Sequence, residues 1–268
     1  MQLFFVTRKA VCRNYFDIVG PMTLNVKEHF FPETYAGGYS RVDGTVEFYG
    51  RVNALLRPDM IVLNYGAGRG VAVEDPVTYR RGLLTLKGKV AKVIGMDIDP
   101  VVESNPLIDE AIVIEPNKSL PLKDASVDLI VSDYVFEHLN DPACVAKELH
   151  RVLKPSGWIC ARTPNRWGYI GIGSRLISNR FHEIALKRLQ PDRKAVDEFP
   201  TYNRLNTKTS IVNNFTTSQF DHFLYTFNSE PAYFGNSKIM WRIMLLAFRL
   251  IPQGLGATYF IFLRKKPL

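Results

Sequence analysis

Two stretches in the first half of the chain have the residue types and spacing to hold a nucleotide-like ligand. Gly66-Ala67-Gly68-Arg69-Gly70 directly follows the apolar run Ile61–Tyr65. Glycine permits backbone angles closed to other residues, and it lets a ligand approach the main chain with no Cβ in the way. A plain strand-to-helix turn also uses glycines, so this loop alone decides nothing. About 30 residues later, Val93-Ile94-Gly95-Met96-Asp97-Ile98-Asp99-Pro100 closes a second apolar run with a carboxylate. In open α/β sheets nucleotides bind beyond the carboxyl ends of the strands, at the point where strand order reverses, and an acid there accepts both hydroxyl protons of a ribose. Asp97 suits that role, whereas Asp99, just before Pro100, reads better as a helix N-cap. A nicotinamide dehydrogenase would present similar parts. Its fingerprint is G-x-G-x-x-G with an acid ~20 residues on, whereas here the glycines run G-x-G-x-G, residue 71 is Val and the acid comes later. Hydride transfer is therefore the weaker reading.

These residues need a sheet to position them, and up to about residue 164 the chain alternates short β-rich apolar runs with helical patterns, the mark of βαβ units and a parallel sheet. Ile61–Tyr65, Ala91–Ile98, Ala111–Glu115, Val127–Asp133 and Trp158–Thr163 read as five strands. Pro142–Leu153 places Val145, Leu149, Val152 and Leu153 on one helical face with Lys147, Glu148 and Arg151 polar, and Pro155-Ser156-Gly157 is expected to turn the chain into the fifth strand. The expected fold is α/β: a doubly wound, mostly parallel Rossmann-like sheet with a C-terminal cap insertion. Residues 1–55 form an N-terminal segment covering the cofactor or acceptor site, 56–165 the ligand-binding core, and 166–206 the cap, rich in Arg, Asn and aromatics. Residues 207–268 return to the sheet, with Thr207–Asn214 and Lys238–Ile251 as helices and Phe220–Phe227 and Thr258–Leu263 as strands.

The chain of 268 residues carries a formal charge of +8, unevenly placed: residues 161–268 hold 16 basic and 6 acidic side chains. Such a field favours an anionic acceptor, a nucleic acid or an anionic membrane surface, although it also serves as a solubilising surface. Cys12, Cys144 and Cys160 lie far apart without metal-ligand spacing, which fits a reducing cytoplasm and no metal site. The start has its charge after a very short apolar run, unlike a signal peptide, and no run reaches the ~18 residues needed to span a bilayer. A cytoplasmic location is expected.

Val62-Leu63-Asn64-Tyr65-Gly66-Ala67-Gly68-Arg69-Gly70 and Gly95-Met96-Asp97-Ile98-Asp99-Pro100 resemble the first two motifs of class I S-adenosylmethionine-dependent methyltransferases of the "type 11" group. Leu120-Pro121-Leu122 with Ser126-Val127-Asp128-Leu129-Ile130, then Val135-Phe136-Glu137-His138-Leu139, then Glu148 to Gly157, resemble its later motifs in the same order. The resemblance covers roughly residues 60–165 and implies S-adenosyl-L-methionine as cofactor. It implies that Tyr65, Gly66, Ala67 and Gly68 contact the amino-acid end of that cofactor, Asp97 its ribose and Ile98 one face of its adenine. The segment Ile114–Ser119 would reach the adenine edge, through Glu115 or Asn117, and Asp133 and Tyr134 would flank the methionine part. For Val135 and Phe136 core packing is the stronger reading. The chain departs from the pattern at Asn64, where the group usually has Asp, and at Pro116, where it often has Asp.

Methyl transfer is an in-line displacement, so the protein mainly positions the acceptor and handles one proton. His138 and His182 are the candidate bases, since imidazole titrates near neutral pH; each also has a plain reading, as a helix cap and as a surface residue. The fourth strand reads Ser132-Asp133-Tyr134-Val135 rather than the Asp/Asn-Pro-Pro-Tyr of nucleobase amino-methylating enzymes, which argues against nucleic acid. A small-molecule or saccharide acceptor, methylated on oxygen, fits the aromatic and Arg-rich segment after Thr163 better. The alternative of a different class is a non-catalytic interaction protein on a degenerate methyltransferase fold. The helix over Lys238–Ile251 is apolar nearly all round. Such a helix is normally buried in the core or in a homodimer contact, while its neighbouring basic residues also suit peripheral contact with an anionic membrane.

Overall fold

The computed structural model describes residues 25–169, 171–172, 200–231 and 234–267. Its centre is a seven-stranded sheet in the order β3-β2-β1-β4-β5-β7-β6, built from β1 (Ile61–Tyr65), β2 (Lys92–Asp97), β3 (Glu110–Val113), β4 (Val127–Asp133), β5 (Leu153–Pro164), β6 (Phe220–Phe227) and β7 (Thr258–Lys265). The first five strands pair in parallel, and β7 runs antiparallel between β5 and β6. Strand order reverses between β1 and β4, which opens a crevice beyond their carboxyl ends. The inner strands read as near-continuous apolar runs because both of their faces are covered. On one side Ile130, Ile159 and Ile261 pack with Phe136, Leu149, Phe215 and Phe220. On the other, Val62, Val93, Leu129 and Phe260 pack with Phe48, Val52 and Val102.

Among the described residues the α-helices are α1 (Val26–Phe30), α2 (Gly44–Leu55), α3 (Thr78–Leu84), α4 (Pro142–Val152), α5 (Lys208–Asn214) and α6 (Lys238–Leu250). Asp43 caps α2 by accepting from the amides of Thr45 and Val46, and Asp141 caps α4 through Cys144, with Pro142 in its first turn. These are the favoured residue types for helix starts. Arg80 of α3 reaches back to the Asp43 carboxylate at 2.7 Å and also pairs with Asp75, tying α2 to the loop after β1. The group Val26, Phe31 and Trp241 packs α1 against α6.

Two expectations are corrected. Pro155-Ser156-Gly157 does not precede the fifth strand but lies inside it: Val127 pairs with Leu153, the register then slips, and Leu129 pairs with Trp158. Ser156 adopts φ +63° there, so the turn residues make a bulge that lets β5 continue. The apolar helix α6 is not buried all round. Trp241 is covered, but Ile239, Ile243, Leu246 and Leu250 are 73, 53, 58 and 75% exposed. One face packs on the protein and the other meets solvent.

Candidate active site

The loop after β1 is fixed from both sides. The amides of Gly66 and Ala67 donate to the Met96 carbonyl of β2, at 2.7 and 3.0 Å. From the turn after β2, the Asn105 side-chain amide donates to the carbonyls of Ala67 and Gly68 at 2.9 and 3.0 Å. Gly70 has φ +78°, and a Cβ there would lie 2.4 Å from the Asn105 side-chain oxygen, so this glycine makes room for the clamp. Gly68 has φ +51° and a Cβ on it would meet nothing within 4 Å, leaving the main chain open on the side where a ligand would lie.

Asp97 closes β2 beside this loop. One carboxylate oxygen accepts from the Gly68 amide at 2.8 Å and the other from the Asp99 amide at 3.0 Å. An ionised carboxylate offers about four acceptor positions, so capacity for two hydroxyl donors remains. Asp99 caps the short turn Pro100–Ser104 by accepting from Val101, as its sequence position suggested. Ile98, next along, is an apolar side chain 48% exposed at the rim of the crevice. Burial, and then the charge of Asp97, push the Tyr65 hydroxyl up to about 12, so Tyr65 is a neutral phenol. With Ile114, Glu115, Asn117, Leu120 and Cys144 it lines a narrow cleft. Tyr65, Glu115 and Asn117, expected at the two ends of one ligand, thus line the same cleft. Glu115 ion-pairs with Lys118 at 2.6 Å, and Asn117 sits at φ +60°.

At the end of β4 the geometry adds residues that sequence reasoning missed. Asp133 accepts from Arg162 of β5 through both oxygens, and from the Tyr49 hydroxyl at 3.1 Å. Arg162 is nearly fully buried, donates to the Thr45 hydroxyl at 3.0 Å, and lies under the ring of Tyr134 at 4.8 Å. Burial opposes its charge, but the neighbouring Asp133 outweighs that and holds the guanidinium protonated. Tyr134 occupies a left-handed backbone position, φ +54°, with its ring partly exposed over this pair. Glu137 is buried behind it and accepts from the Thr163 hydroxyl at 2.9 Å. Burial pushes its carboxyl up to about 7. Tyr49 and Thr45 lie on α2, far away in sequence, so no local pattern pointed to them. Glu137 stood inside a motif, and its signal was an acid in an otherwise apolar turn.

His138 is half-buried, with Nδ1 2.9 Å from the Pro200 carbonyl. A carbonyl only accepts, so Nδ1 donates in this hydrogen bond. His182 and most of the expected cap lie outside the described residues.

An open α/β sheet with a glycine loop and an acid at its switch point is the architecture of the class I methyltransferase fold. Residues 63–161 match the family model for the methyltransferase domain. A probable S-adenosylmethionine-dependent methyltransferase of Mycolicibacterium smegmatis is 53% identical over 47 residues, 18% of each chain. A protein of the same description from Mycobacterium tuberculosis is also 53% identical over 47 residues, 18% of this chain and 17% of its own. The matched stretch therefore spans less than a fifth of the length of these relatives. Among solved structures, a Haloferax volcanii chain from a complex between the Trm112 methyltransferase activator and a methyltransferase aligns at TM-score 0.51 and 16% identity, covering 84% of this chain and 92% of its own. A Listeria monocytogenes S-adenosylmethionine-dependent methyltransferase aligns at TM-score 0.50 and 12% identity over 82% and 98%. At these identities the structural likeness shows the fold. Residues 63–161 are thus similar to the methyltransferase domain, and the fold is that of the class I methyltransferases.

Proposed function

We propose that this protein transfers the methyl group of S-adenosylmethionine to a hydroxyl of a small-molecule or saccharide acceptor. The observation that carries the reading is the Asp97 carboxylate, held against the open backbone of Gly68 at the switch point with two acceptor positions to spare. The cofactor supplies an activated methyl on a sulfonium. The protein's own residues bind and orient. The Tyr65–Gly68 loop holds the amino-acid end, Asp97 the ribose, Ile98 one adenine face, and Glu115 or Asn117 the adenine edge. Asp133 acts as a positioning residue: its charge is committed to Arg162, and together they support the ring of Tyr134 at the crevice.

Transfer to a hydroxyl releases one proton, which needs an acceptor near neutral pH. His138, whose Nδ1 donates to the Pro200 carbonyl, and Glu137, whose carboxyl burial raises to about 7, are described residues of suitable chemistry to take it, and His182 is the third candidate. Trp167, 51% exposed just beyond β5, offers a flat ring of the kind that stacks on a sugar.

Calorimetric titration with S-adenosylhomocysteine, followed by methyl transfer from labelled S-adenosylmethionine to a panel of hydroxylated metabolites and saccharides, tests the reading. Binding with label incorporated into a hydroxylated acceptor supports it. Absence of binding would leave a degenerate fold serving as an interaction protein, and binding with incorporation only into amines would overturn the choice of oxygen.

A further inference from the structure

We propose that α6 docks the protein onto an anionic bilayer surface. Its solvent face is patterned rather than merely apolar. Ile239, Ile243, Leu246 and Leu250 follow the spacing i, i+4, i+7, i+11 and line up as one exposed stripe. Lys238, Arg242 and Arg249, at i, i+4 and i+11, form an exposed row directly alongside, about one residue's turn around the helix. None of these three makes an ion pair among the described residues. The opposite face is anchored. Trp241 is buried, stacks on Phe30 at 6.0 Å and donates its indole N–H to the Gly235 carbonyl, and Phe248 meets Tyr169 at 5.3 Å. The helix is thus held to the protein by one side while it presents an apolar stripe with a basic flank, the arrangement of helices that lie in a headgroup layer.

Length and charge choose the occupant. Thirteen residues reach only about 20 Å, short of the ~30 Å hydrocarbon core, so α6 lies on a bilayer rather than through it. No described helix is long and apolar enough to cross one. Residues 231–268 contain six Lys and Arg and no Asp or Glu, so this part of the chain complements an anionic partner. A second copy would have to bring the same face of each helix together, with the arginine rows meeting like charges. Placement fits as well. α6 lies in the connection from Phe227 to Thr258, two residues paired with each other, and Thr258 pairs in turn with Pro164 at the carboxyl end of β5. The docking face therefore belongs to the edge of the sheet that carries the Asp97 crevice.

Co-sedimentation with vesicles of equal parts phosphatidylglycerol and phosphatidylcholine, against phosphatidylcholine alone, at low and physiological salt, is the test. The protein is expected to pellet with the anionic vesicles and to partition less as salt rises. Arg242→Gln with Arg249→Gln should lower partitioning about 25-fold, about fivefold for each charge lost near the surface. Ile243→Ser with Leu246→Ser, both exposed in the folded protein, should lower it about tenfold or more while circular dichroism stays unchanged. A protein that remains in the supernatant, or whose partitioning ignores both double variants, overturns the proposal. So does a dimer in ultracentrifugation that dissociates on Ile243→Ser with Leu246→Ser and does not pellet with vesicles.

Discussion

Asp97 and Asp99 sit two residues apart and look alike in sequence, yet their surroundings divide their work. Asp99 spends itself on the Val101 amide, whereas Asp97 faces the open glycine loop. Asp97→Ala should weaken S-adenosylhomocysteine binding by about 1.5–3 kcal/mol, the value of charge-assisted contacts, with little effect from Asp99→Ala. Equal dissociation constants in calorimetry would refute the ribose assignment. Glu137 makes a pH prediction. Its folded value, about 7, lies above the ordinary 4.5 of a glutamate because burial disfavours the charged form. The folded state therefore binds the extra proton: the stability this provides is fully present below about 4.5 and is lost as pH rises through 7. Glu137→Gln, uncharged throughout, should flatten the stability–pH profile in that window and be relatively more stable at pH 8. The difference should be on the order of 3 kcal/mol, and urea midpoints from pH 4 to 8 measure it. A wild-type profile no steeper than that of the variant would show that Glu137 titrates normally.

At the scale of elements, β4, β5 and α2 are joined by the Asp133–Arg162 pair, with Tyr49 and Thr45 contributing from the helix. A buried charge pair is weak evidence for stability, but breaking one leaves a charge uncompensated. Asp133→Asn alone should destabilise by about 3–5 kcal/mol, and the double variant Asp133→Asn with Arg162→Met should recover part of the loss. Additive losses in denaturant titrations would mean that the pair is not coupled. This clamp was invisible beforehand because α2 is joined to it only through space, across more than 80 residues of chain between Tyr49 and Asp133. The strands themselves were legible, since those covered on both faces read as apolar runs whatever lies between them. The bulge in β5 was not, because Pro155-Ser156-Gly157 suits a turn or a bulge equally and only the pairing partner decides. For α6 the helix was legible and its environment was not. An apolar count of the whole helix hides the difference between a face that meets Trp241's neighbours and one that meets solvent.

Across the whole molecule the sheet divides the labour. Its parallel part, β1 to β5, sets out the crevice, and the antiparallel addition of β7 and β6 brings α6 round to the same edge. Parallel strands require crossovers, so the parallel direction of the first five was legible in the alternation of apolar runs and helices. The direction of β6 and β7 depends on a long connection whose path no periodicity encodes. The clamp that Asn105 places on Ala67 and Gly68 has a consequence for the energetics of ligand capture. The glycine loop, whose backbone is intrinsically the costliest to order, is held by Asn105, Met96 and Asp97, contacts the protein makes with itself. Little entropy is left to lose on association. The Gly68 amide, bonded to Asp97, should then exchange slowly with solvent deuterium, as expected of a pocket that is a rigid mould rather than a loop that gathers around its ligand.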